Sequence, residues 1–336
     1  MTVTPTNAPN RDELRWQEVV IRCVECGEPG LVCTDEGATC TECGTGYPVV
    51  DGIPVLLESS LRNANGDQAP RLTEAAVHLD LRAQVAVANR DVYDAMGLAR
   101  YADIHHHDAS HQSRQANDGL LDDIRSRMPT AVRVVDLGAG DCRLAAAATR
   151  LFPEVVAVDL SVRMLRESRG EGGDAVVRIC AAADNTPPAP NSVDVVTATA
   201  LLHHIADLSR FLREAYRILR PGGVLFTTHD PNRRLVRAHE KVRKWLRRPP
   251  GGWFGGTTGE LAEFQTAQYG GICPQELSEA LRDAGFNSVK VRGHVTPAQL
   301  SSALDRSSRW LLRCANTAAP TLAATHLQAT AEKSRA

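Results

Sequence analysis

The chain of 336 residues lacks the features that would place it in a membrane or against a polyanion. It contains no run of about 18 apolar residues, so no membrane span is expected. Residues 1–12 are polar and carry no apolar signal core. The formal net charge is only −2, so the molecule as a whole has no charge excess that would attract nucleic acid. No internal repeat is visible, and a cytoplasmic location is the default expectation.

Nine cysteines are present, and four of them form two Cys-x2-Cys pairs. Cys23 and Cys26 make the first pair, and Cys40 and Cys43 the second. Each pair can turn two thiolates toward one tetrahedral ion. A unit this small cannot build a core of its own, so the metal would supply much of its folding energy. The spacing therefore predicts structural Zn²⁺, because four thiolates leave no open position for catalysis.

The stretch after the second pair, residues 46–57, reads Gly-Tyr-Pro-Val-Val-Asp-Gly-Ile-Pro-Val-Leu-Leu. With the cysteines, it resembles the small zinc-ribbon family that includes the activator subunit of eukaryotic tRNA and protein methyltransferases. The resemblance covers roughly residues 21–58. It implies a docking or stabilising role beside a methyltransferase, and a ribbon that only caps the fold is the alternative.

A glycine turn lies in residues 134–141, Val-Val-Asp-Leu-Gly-Ala-Gly-Asp. A helical stretch follows, and then a second apolar run, residues 155–158, ends at Asp159. The order of strand, glycine turn, helix, strand and acidic residue predicts a nucleotide-cofactor site. Position 143 is arginine, where a dinucleotide site prefers a third glycine, so the NAD interpretation is weakened.

From residue 132 onward, short apolar runs alternate with helical stretches. This alternation predicts an α/β fold with a mostly parallel sheet covered on both faces. The predicted strands are 133–136, 155–159, 176–181, 193–198, 224–229 and 288–293, and the predicted helices are 142–151, 161–168, 207–219 and 274–284.

Three later segments narrow the class of protein. They are residues 191–196, residues 201–205 (Leu-Leu-His-His-Ile) and residues 216–223 (Tyr-Arg-Ile-Leu-Arg-Pro-Gly-Gly). With the glycine turn and Asp159-Leu160-Ser161, they resemble the class I S-adenosylmethionine (SAM)-dependent methyltransferases of the small-molecule type, over roughly residues 130–230. The resemblance implies a Rossmann-like doubly wound sheet and methyl transfer by in-line displacement to a small-molecule acceptor.

The predicted domain organisation combines this domain with the zinc ribbon. It consists of an N-terminal lead at 1–20, the ribbon at 21–58, a linker at 59–75, the methyltransferase domain with a helical lid at 76–314, and a poorly ordered tail at 315–336. Within the domain, residues 76–128 are predicted to be mainly helical.

The resemblance also assigns roles in cofactor binding. Gly138 and Gly140 would approach the methionine part of SAM, Asp136 its amino group, and Asp159 the ribose hydroxyls. Met164 would pack either on the adenine or in the core. Asp184 is chosen for the adenine amino group, although an ungapped alignment puts Ala182 there. The full predicted set is Asp136, Gly138, Ala139, Gly140, Asp159, Leu160, Met164, Asp184 and Asn185.

Three histidines are candidates for a catalytic base, which is needed only if the acceptor must lose a proton. His203 and His204 follow the fourth predicted strand, and His229 follows the fifth. Packing or hydrogen bonding is the alternative role for each. A second group, His105–His107 with His111, is predicted to lie on a polar helical lid rather than to bind a second metal.

The basic segment 233–248 has two interpretations. It is either a solvated amphipathic helix over the pocket or a surface for an anionic substrate, RNA or a membrane. Two alternative functions also stay open: an RNA base methyltransferase, since such enzymes can join an N-terminal zinc site to this fold, and a non-catalytic SAM-binding partner protein with the ribbon as its interaction module. The acceptor and the oligomeric state are not determined by the sequence.

Overall fold

The computed structural model describes residues 21–34, 36–62, 79–105, 111–234, 236–237, 257–294 and 326–335. The predicted lead at 1–20, most of the predicted linker, most of the basic segment and residues 315–325 of the predicted tail lie outside these ranges. Of the helices in the described ranges, none combines the length and the apolar character needed to cross a bilayer.

The cysteine module forms a small antiparallel sheet of four strands in the order β1-β2-β3-β4. The strands are β1 Leu31–Cys33, β2 Gly37–Cys40, β3 Gly46–Val50 and β4 Ile53–Pro54. After β4 the chain runs parallel to the edge of the central sheet, where Leu56 N donates to Cys180 O at 2.8 Å. Leu56 is completely buried there, so the module closes an edge that would otherwise present unpaired backbone groups.

The central sheet has seven strands in the order β7-β6-β5-β8-β9-β11-β10. They are β5 Arg133–Leu137, β6 Glu154–Asp159, β7 Val176–Cys180, β8 Val193–Thr199, β9 Leu219–Pro231, β10 Phe286–His294 and β11 His326–Lys333. All run in one direction except β11, which is antiparallel to both of its neighbours. The innermost strands, β5 and β8, are buried almost throughout because both faces of the sheet are covered, and this explains why most of their residues are apolar.

The helices are α1 Leu81–His105, α2 His111–Arg127, α3 Arg143–Ala148, α4 Val162–Glu167, α5 Leu208–Ile218, α6 Thr257–Ala262, α7 Phe264–Tyr269 and α8 Pro274–Asp283. The helical region predicted at 76–128 is therefore two helices, and α1 is broken at Gly97, which has φ 63°. Pro274 starts α8, where its missing N–H costs nothing.

The prediction of a poorly ordered tail is wrong for residues 326–333. Residues 326–333 form β11, which inserts between β9 and β10. Its side chains alternate, and Leu327, Ala329 and Ala331 are each 1% exposed. The alternation has the period of a half-buried strand, but alanines carry so little apolar surface that the Ala/Thr-rich composition hides it.

The predicted linker also needs correction at its start. Residues Ser59–Leu61 form a 3₁₀ turn that belongs to the cysteine module. Glu25 accepts hydrogen bonds from Ser59 N at 2.7 Å and from Ser59 Oγ at 2.8 Å. These bonds hold the chain against the module until Arg62, where the described range ends.

Candidate functional site

The glycine turn connects β5 to α3 and is fixed to β6. Gly138 N and Ala139 N both donate to Val158 O, at 2.8 and 3.1 Å. Gly138 has φ 68° and Gly140 φ 50°, a region that side chains other than glycine rarely adopt. A Cβ on Gly138 would also lie 2.6 Å from Leu201 Cδ1. The positive φ favours glycine at 138, and a larger residue there would also have to displace the Leu201 side chain.

Asp159 lies at the end of β6, beside this turn. Its Oδ2 accepts from Gly140 N at 2.9 Å, and its Oδ1 accepts from Ser161 N at 2.9 Å. Ser161 in turn donates to Asp94 of α1 and caps α4 by accepting from Met164 N at 3.0 Å. Burial raises the pKa of Asp159. The carboxylate is therefore held in one orientation at the carboxyl edge of the sheet.

Asp136 is the second carboxylate at this edge and is 3% exposed. Thr197 on β8 donates to its Oδ1 at 2.7 Å. Burial raises the pKa of Asp136 to about 7, and the negative charges of Asp141 and Asp159 add to the rise. A buried carboxylate with a second acid nearby is a site that a cation would stabilise.

The remaining predicted cofactor residues divide into two groups. Ala139 lies within the turn and Leu160 directly follows Asp159, and their contact with a cofactor stays a prediction. Met164 is completely buried, which fits the alternative role in the core. Cys142, just before α3, adopts φ 57°, a backbone conformation that glycine adopts more readily than other residues.

The described contacts of Asp184 and Asn185 are with α1 and the cysteine module rather than with the glycine turn, and the adenine contact chosen for Asp184 stays a prediction. Asp184 forms a bidentate pair with Arg82 of α1. Asn185 donates to Val24 O at 3.0 Å and to Glu58 Oε2 at 2.7 Å, both in the cysteine module. Their polar atoms tie the module and α1 to the sheet.

Helix α1 connects these parts because its side chains contact all of them. Near its start, Arg82 pairs with Glu58 and Asp184. Farther along, Asn89 Nδ2 donates to His204 O at 3.2 Å, and Asp94 accepts from Ser161. The sequence contains no local signal for these residues, because their partners lie far away in the chain.

The three candidate bases are in different surroundings. His203 Nδ1 lies 3.0 Å from Asp230 Oδ1, and His203 Nε2 lies 3.8 Å from Glu263 Oε2. Burial lowers the pKa of His203, but Asp230 outweighs this effect and the pKa is raised. His204 Nδ1 lies 2.7 Å from Ala262 O and its Nε2 lies 3.1 Å from Tyr93 Oη.

His229 lies apart from this pair. It has φ 66°, and its ring centroid is 6.2 Å from that of His326 on β11. The structure thus brings together His203, His204 and Glu263, whose possible ligand atoms all lie within 4.8 Å of one another. The sequence could identify Glu263 only by position, and it gave no indication of Asp230 as a partner of His203. The side chains of His105–His107 and His111 lie outside the described part of the chain.

The four paired cysteines converge. The Cys23 and Cys43 Sγ atoms are 3.7 Å apart, as are those of Cys26 and Cys40, and all four lie within 4.8 Å. Tetrahedral zinc with bonds of about 2.3 Å separates its sulfurs by about 3.8 Å, whereas a disulfide needs about 2.05 Å. The four thiols therefore fit the predicted zinc ion. Cys33, on β1, is outside this group.

The sheet order with a single reversed strand, the glycine turn and the acidic end of β6 together define the class I SAM-dependent methyltransferase fold. A family model described as a methyltransferase domain matches residues 135–227. The chain contains a domain of this class.

Curated relatives match the same part of the chain. The ubiquinone biosynthesis O-methyltransferase of Xanthomonas oryzae is 32% identical over 115 residues, which cover 33% of this chain and 48% of the relative. The malonyl-[acyl-carrier protein] O-methyltransferase of Methylococcus capsulatus is 34% identical over 116 residues, 33% of this chain and 42% of the relative. The chain thus spans about half the length of the curated relatives it matches.

Among solved structures, a SAM-dependent methyltransferase of Thermotoga maritima, described as a possible histamine N-methyltransferase, is similar with a TM-score of 0.45 and 21% identity. The match covers 70% of this chain and 93% of that one.

Proposed function

We propose that this protein transfers a methyl group from SAM to a small-molecule acceptor. The observation that carries the proposal is the arrangement of Asp159 and the glycine turn, because both lie at the carboxyl edge where β5 and β6 end. Open α/β sheets bind their ligands at this edge. Bound there, SAM would supply a methyl carbon that its sulfonium already activates.

The residues of the site would then bind and orient the cofactor. Asp159, fixed by two backbone N–H groups, would accept hydrogen bonds from the ribose hydroxyls. The buried Asp136 would pair with the ammonium group of the methionine part. Gly138 and Gly140 let the backbone approach the ligand without a side chain between them. Alignment and exclusion of water are the main demands of methyl transfer, since the cofactor is already reactive.

A small-molecule acceptor is supported by the names of the relatives, which include a ubiquinone biosynthesis O-methyltransferase. The net charge of −2 also fits such an acceptor better than RNA. The acceptor would lie against His203 and Glu263, which follow β8 and α6. The RNA alternative has no observation in its favour among the described residues.

We also propose that the four paired cysteines hold a structural Zn²⁺, on the strength of their 3.7 Å sulfur spacing. The module it stabilises is packed on the sheet edge at Cys180 and is linked by Glu58 to α1. The ribbon would in this way support the position of α1, which contacts the cofactor side through Asp94.

Calorimetry with SAM tests the proposed function on the wild type and the Asp159→Asn variant. The substitution removes a charged acceptor, which is worth about 1.5–3 kcal/mol, so we expect SAM affinity to fall by roughly 10- to 150-fold. Asp122→Asn, an exposed carboxylate on α2, is the matched control and should bind like the wild type. Equal affinity of the Asp159→Asn variant and the wild type would refute the proposal.

A further inference from the structure

A second group of possible metal ligands lies at the carboxyl edge of the sheet, separate from the cysteines. It consists of His203 and His204, on the turn after β8, and Glu263, between α6 and α7. Each offers one atom, and the three atoms lie within 4.8 Å of one another. Two imidazoles and one carboxylate form a ligand set that suits divalent transition metals. We call these three residues the acceptor-side cluster.

Each of the two histidines is held through its Nδ1 atom. Nδ1 of His203 lies 3.0 Å from the carboxylate of Asp230, and Nδ1 of His204 lies 2.7 Å from the carbonyl oxygen of Ala262. Both partners are acceptors, so each Nδ1 carries the proton and each Nε2 is the ring nitrogen that can accept a bond. Histidines that bind metals are held in this way, by a carboxylate or a backbone carbonyl on the other ring nitrogen.

Distances within the cluster are close to those around an ion. Ligands bound at about 2.0–2.2 Å in a tetrahedral site are separated by about 3.4 Å. His203 Nε2 lies 3.8 Å from Glu263 Oε2, which is longer than a hydrogen bond and near this separation. Tyr93 Oη, 3.1 Å from His204 Nε2, occupies the lone pair that a metal would use. A cation would therefore replace the hydrogen bond to Tyr93.

We propose that His203 Nε2, His204 Nε2 and the Glu263 carboxylate bind one divalent cation on the acceptor side of the site. Zn²⁺, Mn²⁺ and Fe²⁺ accept such mixed ligands. Three protein ligands leave at least one coordination position open, as in catalytic rather than structural sites.

The cluster lies near the cofactor turn, so the cation has a role in methyl transfer. Leu201, two residues before His203, packs over Gly138. An acceptor hydroxyl bound to the cation loses its proton to water more readily, because a bound cation lowers the pKa of an oxygen ligand. The acceptor class is therefore a hydroxylated molecule with an oxygen that binds metal. This last step rests on the proposed methyl transfer, whereas the binding of the cation does not.

The test measures how tightly the full-length, zinc-loaded protein binds an added divalent metal. Co²⁺ is titrated by calorimetry and by visible absorption, because cobalt bound to thiolates absorbs far more strongly than cobalt bound to histidine and carboxylate. We expect the wild type to bind one Co²⁺ with weak absorption. Glu263→Gln and His203→Ala should lower its affinity at least tenfold, whereas Glu260→Gln, an exposed carboxylate on α6, should leave it unchanged.

Two further variants separate a metal site from a hydrogen-bonding network. Tyr93→Phe removes the competitor for His204 Nε2, so it should bind Co²⁺ more tightly than the wild type. Asp230→Asn weakens the support of His203 and should lower affinity by roughly 10- to 100-fold. SAM binding is measured in parallel on every variant as a check of folding.

The outcomes distinguish this inference from the proposed function. Absence of a bound Co²⁺ outside the thiolate site, or equal Co²⁺ affinity in Glu263→Gln and the wild type, overturns the cation site while SAM binding can still support methyl transfer. Bound cobalt without any SAM binding supports the cation site and refutes the proposed function.

Discussion

Replacing Asp136 by asparagine should stabilise the folded protein and at the same time weaken its affinity for SAM. Asp136 is 3% exposed and accepts a hydrogen bond from Thr197. Asparagine has a similar shape and its carbonyl oxygen can accept the same bond, but it carries no charge. The substitution therefore removes the cost of a buried charge together with the partner proposed for the SAM ammonium group.

The size of the effect follows from the pKa. Burial raises the pKa of Asp136 from 3.8 to about 7 in the folded protein. A carboxyl whose pKa is higher in the folded state lowers stability as the pH rises from about 4 to about 7, and the full difference corresponds to about 4 kcal/mol as an upper bound. Between pH 5.5 and 8, the stability of Asp136→Asn relative to the wild type should therefore increase by about 2 kcal/mol.

Urea denaturation of both proteins across pH 5.5–8 measures this difference. Every other titrating group, the zinc thiolates included, is common to both proteins and cancels to a first approximation. SAM affinity of the wild type should increase as the pH rises through about 7, because the charged carboxylate then forms, whereas the variant should bind weakly at every pH. A stability difference that does not change with pH, or unchanged SAM affinity in the variant, would refute the reasoning.

Three other predictions concern stability. Leu327→Ala in β11 should cost about 2–4 kcal/mol in urea denaturation, because the side chain is buried in the central sheet, and no loss would mean that this strand does not form. Burial raises the pKa of Glu214, but Arg217, Thr186 and Arg22 overcome this and lower it to about 2, so the stability that Glu214 contributes should be present above pH 4.5 and lost toward pH 2. Glu214→Gln should lack that pH dependence. Removing zinc with a chelator should lower the melting temperature, and Cys23→Ser should have the same effect, while Cys33→Ser in the same module should have little.

Features whose cause is local could be read from the sequence. The strands β5, β6 and β8 consist mostly of apolar residues because they are buried on both faces. The glycines at 138 and 140 mark a turn with positive φ, and the two Cys-x2-Cys pairs mark a place where four thiols meet. Each of these depends on neighbouring residues and on steric rules that hold in any fold.

Features that depend on distant partners could not be read in this way. Asp184 has the residue type and strand-end position of an adenine ligand, but Arg82 engages both of its oxygens. Asp94 has no motif around it, and it reaches Ser161 only because α1 folds over the sheet. Residues 326–333 were predicted to be poorly ordered because an alternation of alanine with polar residues is a weak signal for a strand.

The amino-acid pattern alone determined the α/β class, the turn at Gly138, the acid at Asp159 and the four clustered thiols, since each requires a particular residue at a particular spacing. Only the tertiary structure shows that β11 lies between β9 and β10, that the cysteine module covers the β7 edge, and that His203, His204 and Glu263 converge. These contacts join segments far apart in the chain. Their free energy comes from burying surfaces that meet only after the segments have packed together.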